Sequence, residues 1–187
     1  MNKPLKIKGR VWLLRNKEGK AIDDIDTDMI YHNAHLAITD IKEMGKYALG
    51  NLAGWQDFSQ KAKEGDIIVA GKNFGCGSSR QQAVDCFISL GIGLIIAESF
   101  GAIYKRNAIN SGFPILVCSD ILQPSAEEED YIRQGDILEV DIATGGIFNL
   151  SKQREIKRAQ PFSQVQREIY QAGDLFSYGR MLLSKKH

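Results

Sequence analysis

The chain has 187 residues, with 24 Lys and Arg against 23 Asp and Glu and a formal net charge of +1. This length suits one domain able to bury a sizeable core, and the balanced charge gives no long-range field for nucleic acid or an anionic membrane. No run approaches the ~18 apolar residues of a membrane span, and the apolar stretch of MNKPLKIKGRVWLL is too short for a secretory leader. Cys76, Cys86 and Cys118 are odd in number, widely spaced and without a C-x-x-C pair. That pattern speaks against a zinc or iron–sulfur site held by this chain alone and for a reduced, cytoplasmic protein.

In chain order, Lys6–Leu14 reads as a first strand, and the acidic stretch Asp23-Asp24-Ile25-Asp26-Thr27-Asp28 follows. Four carboxylates within six residues repel one another, so this is either a solvated turn or a site. Residues 31–63 read as a Gly-punctuated excursion with short helices, the first opened by an Asp40–Glu43 capping box and running to about Leu49. Asp66–Ala70, Gly93–Ala97 and Pro114–Cys118 are short, nearly all-apolar runs, as strands buried on both faces should be. Between them, a helix opening at Ser78-Ser79 and carrying Ala83, Val84, Phe87 and Ile88 on one face alternates with a helix over Ala102–Asn110. Strand–helix–strand–helix–strand predicts parallel pairing with right-handed crossovers. Asp136–Ile142 and Ile147–Leu150 around Ala143-Thr144-Gly145-Gly146 predict a hairpin, and Phe162–Ala172 an amphipathic helix. The expected fold is one compact α/β domain over 1–187, with a parallel β/α centre, antiparallel strands and a helical extension at about 160–187.

Gly75-Cys76-Gly77-Ser78-Ser79-Arg80 leaves a buried strand and enters a helix. Gly75 and Gly77 permit positive φ and close approach of a ligand. The unpaired N–H groups and positive dipole end of a helix start favour an anion, and Arg80 adds a planar fork suited to a carboxylate. A purely structural alternative stands beside this: Ser78 and Gln81 have capping-box spacing, and Arg80 could face solvent. The Lys-Ser/Thr that closes a P-loop is absent, and Arg80 stands where a dinucleotide fingerprint needs its third glycine. Cys76 reads as small packing and Cys86 as core. His32 and His35, at i, i+3 in a loop, are weak evidence for metal, and no metal ligand is assigned to this chain.

Asn73-Phe74-Gly75-Cys76-Gly77-Ser78-Ser79-Arg80 resembles the signature of the small, swivelling domain of the aconitase superfamily. Asp26-Thr27-Asp28-Met29-Ile30 is similar to that domain's D-T-D-x-I motif, and Ser99-Phe100-Gly101 through Asn110-Ser111-Gly112 to its S-F-x-x-I-x-x-R-N-x-x-N-x-G segment. The three occur in the family's order, within roughly residues 6–150, and the length resembles that of the separate small subunits of 3-isopropylmalate dehydratase and homoaconitase. The resemblance implies a hydro-lyase that moves a hydroxyl between adjacent carbons by dehydration and rehydration. It implies that a [4Fe–4S] cluster on a partner large subunit acts on the hydroxyl, with no cofactor bound by this chain. It implies Ser78 as the base, Ser79 and Arg80 as substrate ligands, and Asp28 as an active-site carboxylate that orients or pairs charge. Arg106 and Asn107 would support the wall beside Gly75 and Gly77. Gln81-Gln82 depart from the Glu-His or Glu-Gln of many relatives, which puts the local charge balance in question.

The resemblance also marks the loop after D-T-D-x-I, within about 31–63, as the place where relatives distinguish substrates. Its counterpart here is His35-Leu36-Ala37-Ile38-Thr39. Homoaconitase-like sequences carry an arginine where Ala37 stands, matched to a distal carboxylate. Leu36, Ala37 and Ile38 instead offer apolar contact, worth roughly 0.8 kcal/mol per buried methylene. The expected substrate is 3-isopropylmalate, in leucine biosynthesis, with 2,3-dimethylmalate or homocitrate as alternatives among di- and tricarboxylates. From another class, the chain could be a carboxylate-binding or regulatory paralogue without catalysis, a reading for which Gln81 is the only hint.

Overall fold

The structure, a computed structural model, describes residues 3–122 and 131–184. Seven strands form one mixed sheet: β1 Lys6–Leu13, β2 Ile67–Ala70, β3 Leu94–Ala97, β4 Ile115–Val117, β5 Ile137–Asp141, β6 Gly146–Asn149 and β7 Arg154–Arg158, in the order β4-β3-β2-β1-β5-β6-β7. The helices are α1 Thr27–Ile30, α2 Ile41–Met44, α3 Phe58–Lys61, α4 Gln82–Ser89, α5 Ala102–Asn110, α6 Gln164–Ala172 and α7 Leu175–Ser184, with 3-10 turns at Asn33–His35 and Gly45–Tyr47.

β1 to β4 run parallel, and the hairpin partners β5, β6 and β7 are antiparallel. β1 joins the two kinds, with Val11 opposite Ile67 on one edge and Gly9 opposite Leu138 on the other. β2 and β3 are buried along their whole length because each serves two cores. Ile68, Ala70, Ile95 and Ala97 point into a core with Phe74, Phe87, Tyr31 and Tyr104. Ile67, Val69, Leu94 and Ile96 point into a second core with Leu138, Val140, Ile147 and Tyr131. This double burial is the physical reason for their unbroken apolar runs. The apolar face of α4 contains Ala83, Val84, Cys86 and Phe87, whereas Ile88 is exposed.

Two local expectations are corrected and one strand is added. α4 opens at Gln82 rather than Ser78, and no Ser78–Gln81 capping box forms, because Ser78 Oγ lies against Thr27 and the Gln81 side chain reaches Asp85 and Ser111. Asp40 caps α2 through Lys42 N while Glu43 pairs with Lys46 Nζ, and the α-helix ends at Met44 before a 3-10 turn. β7 adds a strand that the sequence pattern does not signal, since REIKR has no apolar alternation; it is an edge strand with mostly exposed side chains. A true capping box occurs instead at Ser163–Gln166, opening α6. α6 and α7 form the helical C-terminal part, whose residues 185–187 lie outside the described residues. Among the described residues no helix is long and apolar enough to cross a membrane.

Candidate active site

The three sequence motifs lie side by side at the carboxyl ends of the parallel strands, where open α/β sheets place their ligands. The segment after β2 bridges Phe74 to Phe100, after β3, and Cys76 to Asp26, before α1. Close backbone approach demands glycine at two points. Gly75 has φ 74° and sits on the Tyr104 ring, which a Cβ would strike. Gly101 packs on the Gly75 carbonyl, 2.6 Å from where its own Cβ would be. Gly77, at φ 88°, has room for a Cβ in ordinary contact with Asp26 and Thr27 and needs only the backbone freedom.

The acidic stretch does not converge into a metal cradle. Asp23 Oδ1 accepts from Lys72 N at 2.7 Å, Asp24 Oδ1 from Asn73 Nδ2 at 2.7 Å, and Asp26 Oδ1 from Met29 N at 2.7 Å as the cap of α1. Two of these carboxylates therefore fasten the glycine loop and one starts a helix. Asp28 alone turns to Arg80. Arg80 Nη1 donates to Asp28 Oδ1 at 2.5 Å and to the Tyr31 carbonyl at 3.0 Å. Asn33 N also donates to Asp28 Oδ1, and Asn51 Nδ2 to Asp28 Oδ2 at 3.1 Å. The Arg80 hydrogen bond, set against partial burial, holds the Asp28 carboxyl below its ordinary range, so it is ionised at neutral pH. Arg80 Nε and Nη2 donate to nothing among the described residues, leaving half of the guanidinium fork for a ligand.

Ser78 and Ser79 are exposed beside this pair. Ser78 Oγ lies 3.2 Å from Thr27 Oγ1, which also donates to the Ser78 carbonyl at 3.0 Å. Thr27 can thus accept from Ser78 or, by rotating its hydroxyl, donate to it. Among the described residues, the amides of Ser78 through Gln82 donate no hydrogen bond. They form a row of open donors at the start of α4, where the helix dipole adds positive potential.

Leu36 and Ala37 are exposed after the 3-10 turn, while Ile38 is half-buried against the first core. The turn is held by Tyr31 Oη donating to the His35 carbonyl and by His35 stacked on Tyr47 at 3.9 Å. His32 Nδ1 accepts from Ala34 N, so the two histidines serve the turn. Arg106 is exposed and Asn107 half-buried on α5; neither side chain hydrogen-bonds within the described residues. What α5 gives to the loop is Gly101 and Tyr104. Thr27 and Asn51 join the site without having been marked by the sequence reading. Thr27 is the middle residue of D-T-D, which is a usable signal, whereas Asn51 belongs to no motif. The cysteines lie apart: Cys76 in the loop, Cys86 in the first core and Cys118 in the second. Burial raises all three thiols, Cys118 to about 11, so none is an activated thiolate. No group of three or more His, Cys, Asp or Glu able to hold a metal occurs among the described residues.

Residues 39–119 match the family described as the aconitase C-terminal domain. The chain is 45% identical over 166 residues to the 3-isopropylmalate dehydratase small subunit of Caldanaerobacter subterraneus, covering 87% of this chain and 97% of that protein. The chain belongs to the 3-isopropylmalate dehydratase small-subunit family. Its homoaconitase branch is near as well: the methanogen homoaconitase small subunit of Methanocaldococcus jannaschii is 39% identical over 177 residues, with 93% and 97% of the two chains covered. The crystal structure of 3-isopropylmalate dehydratase from M. jannaschii superposes with a TM-score of 0.80 at 38% identity, over 97% of this small subunit and 99% of the other chain. The expected aconitase-type α/β fold, with its parallel centre and antiparallel strands, is therefore the observed one.

Proposed function

We propose that this small subunit completes the active site of a hydro-lyase that isomerises 3-isopropylmalate, working in the cytoplasm with a cluster-bearing large subunit. The observation that carries the proposal is the exposed Ser78 hydroxyl, hydrogen-bonded to Thr27 and flanked by open amides and the half-free Arg80 fork. Arg80 Nε and Nη2 hold a substrate carboxylate while Asp28 fixes the other side of the guanidinium. Ser79 donates to the same carboxylate. Ser78 acts as an alkoxide, stabilised by the Thr27 hydroxyl turned to donate and by nearby amides; it takes a proton from carbon and becomes a neutral hydroxyl. Preorganised donors in a cleft closed by a partner are worth far more than the same donors in water.

The cysteines of this chain do not fit an iron–sulfur cluster, since Cys86 and Cys118 are buried in different cores. The cluster is therefore assigned to the partner. Segment 31–63 selects the substrate, with Leu36 and Ala37 presenting apolar surface and no cation to a distal group. That favours an isopropyl group over a distal carboxylate, which would be buried without a partner. Co-expression with a cluster-bearing large subunit should give a brown complex that turns over isopropylmalate faster than homocitrate or dimethylmalate, while the single chain is inactive. Turnover by the single chain, or a preference for homocitrate, defeats the reading.

A further inference from the structure

The loop bearing Ser78, Ser79 and Arg80 is fastened at both ends to one helix, α5. At its start, Gly101, just before α5, donates its amide to the Phe74 carbonyl at 2.9 Å, and the Tyr104 ring lies under Gly75. At its end, the Gln81 side chain reaches the far end of α5: Nε2 donates to Ser111 Oγ at 2.9 Å and to Asp85 Oδ1 at 2.8 Å. The two anchor points are about 15 Å apart at the helical rise of 1.5 Å per residue. Ser111 is the C-cap of α5, and Gln81 is the N-cap of α4, bonded directly to Arg80 in the chain. One carboxamide therefore holds the start of α4 twice, to Asp85 within α4 and to Ser111 at the end of α5.

Asp85 makes the choice of amide specific. It accepts from Gln81, and burial raises its carboxyl above the ordinary value against the pull of that hydrogen bond. A glutamate at 81 would set two carboxylates face to face at i, i+4, where desolvation already disfavours charge. The neutral residue at 81 is thus the complement of Asp85 and no sign of lost catalysis.

We infer that Gln81 is a positioning residue for substrate binding: its carboxamide, bridging Asp85 and Ser111, fixes the start of α4 and thereby the direction in which Arg80 presents its free nitrogens. The inference rests on Arg80 being the carboxylate anchor proposed above. In the complex with the large subunit, Gln81→Glu should raise KM for the hydroxy diacid about fivefold, the size of one lost net hydrogen bond, with kcat changed less than about twofold. Gln81→Glu with Asp85→Asn reverses the polarity of the clamp, because the amide introduced at position 85 donates to the new carboxylate, and should restore KM. Asp85→Asn alone keeps an amide–amide bond and should stay near the wild-type KM. A clamp that merely stabilised the fold would lower Tm and the active fraction without moving KM. An unchanged KM in Gln81→Glu, or no rescue by Asp85→Asn, overturns the inference. Arg80→Lys separates the two readings: an unchanged KM there defeats the anchor itself.

Discussion

Loop 72–81 and segment 31–39 both reach the Asp28–Arg80 pair, and they are built differently. The first is pinned by Asp23, Asp24, Ser99 and Gly101, with glycines where Tyr104 and a neighbouring carbonyl leave no room for a side chain. The second is a 3-10 turn held by the Tyr31 hydroxyl, the His35–Tyr47 stack, and the hydrogen bonds of Asn33 N to Asp28 and Ala34 N to His32, but its tip, Leu36 and Ala37, stands in the open. Groups assigned to proton transfer and carboxylate binding thus sit on rigid backbone, and groups assigned to choosing the substrate sit where substitution meets little resistance. Loops can vary at low cost in stability, whereas a misplaced catalytic group costs rate steeply.

The sharpest way to break this contrast is Ser78→Ala. It should lower turnover of the assembled enzyme by about 10²–10⁴-fold, the usual worth of a positioned acid or base. Folding should be spared, because the side chain is exposed and its hydroxyl gives up one hydrogen bond, to Thr27; near-normal turnover in a steady-state assay would remove Ser78 from the base role. Next come the paired glycines. Gly75→Ala should cost about 3 kcal/mol by combining positive φ with a clash against Tyr104, whereas Gly77→Ala should cost about 1 kcal/mol for φ alone. Denaturant melts of the isolated chain check this, and equal losses would mean that the loop is not pinned as described. The smallest effect is expected at the open turn. Ala37→Arg should move relative kcat/KM toward a tricarboxylate by about tenfold at unchanged stability, an ion pair of roughly 1.4 kcal/mol. Unaltered selectivity would detach segment 31–39 from substrate choice.

Sequence-level reading succeeds where burial leaves a one-dimensional trace. β2, β3 and β4 are visible as apolar runs because both faces are covered, and the β5–β6 hairpin because one is. β7 is invisible because an edge strand with polar side chains needs only backbone partners. The start of α4 is misplaced because Ser78 has ideal capping chemistry yet spends its hydroxyl on Thr27, far away in the chain. The Asp28–Arg80 pair and the Asn51 amide behind Asp28 are likewise tertiary facts. The composition of the acidic stretch announces that something is there, but not that each carboxylate has a separate task.

The position of β1 has a consequence for biosynthesis. This strand leaves the ribosome before the other six, and its parallel partner β2 follows early, but its other edge stays unpaired until β5 has been made, since Lys6 finally lies opposite Asp141. During translation the nascent sheet therefore carries a margin of unpaired backbone amides and carbonyls at what will become its middle, a template for pairing with other chains. The last third of the polypeptide, remote from the serine loop in sequence, acts as the cover for that margin. Truncations or stalls before residue 137 should be aggregation-prone even though every residue assigned to chemistry has by then been synthesised.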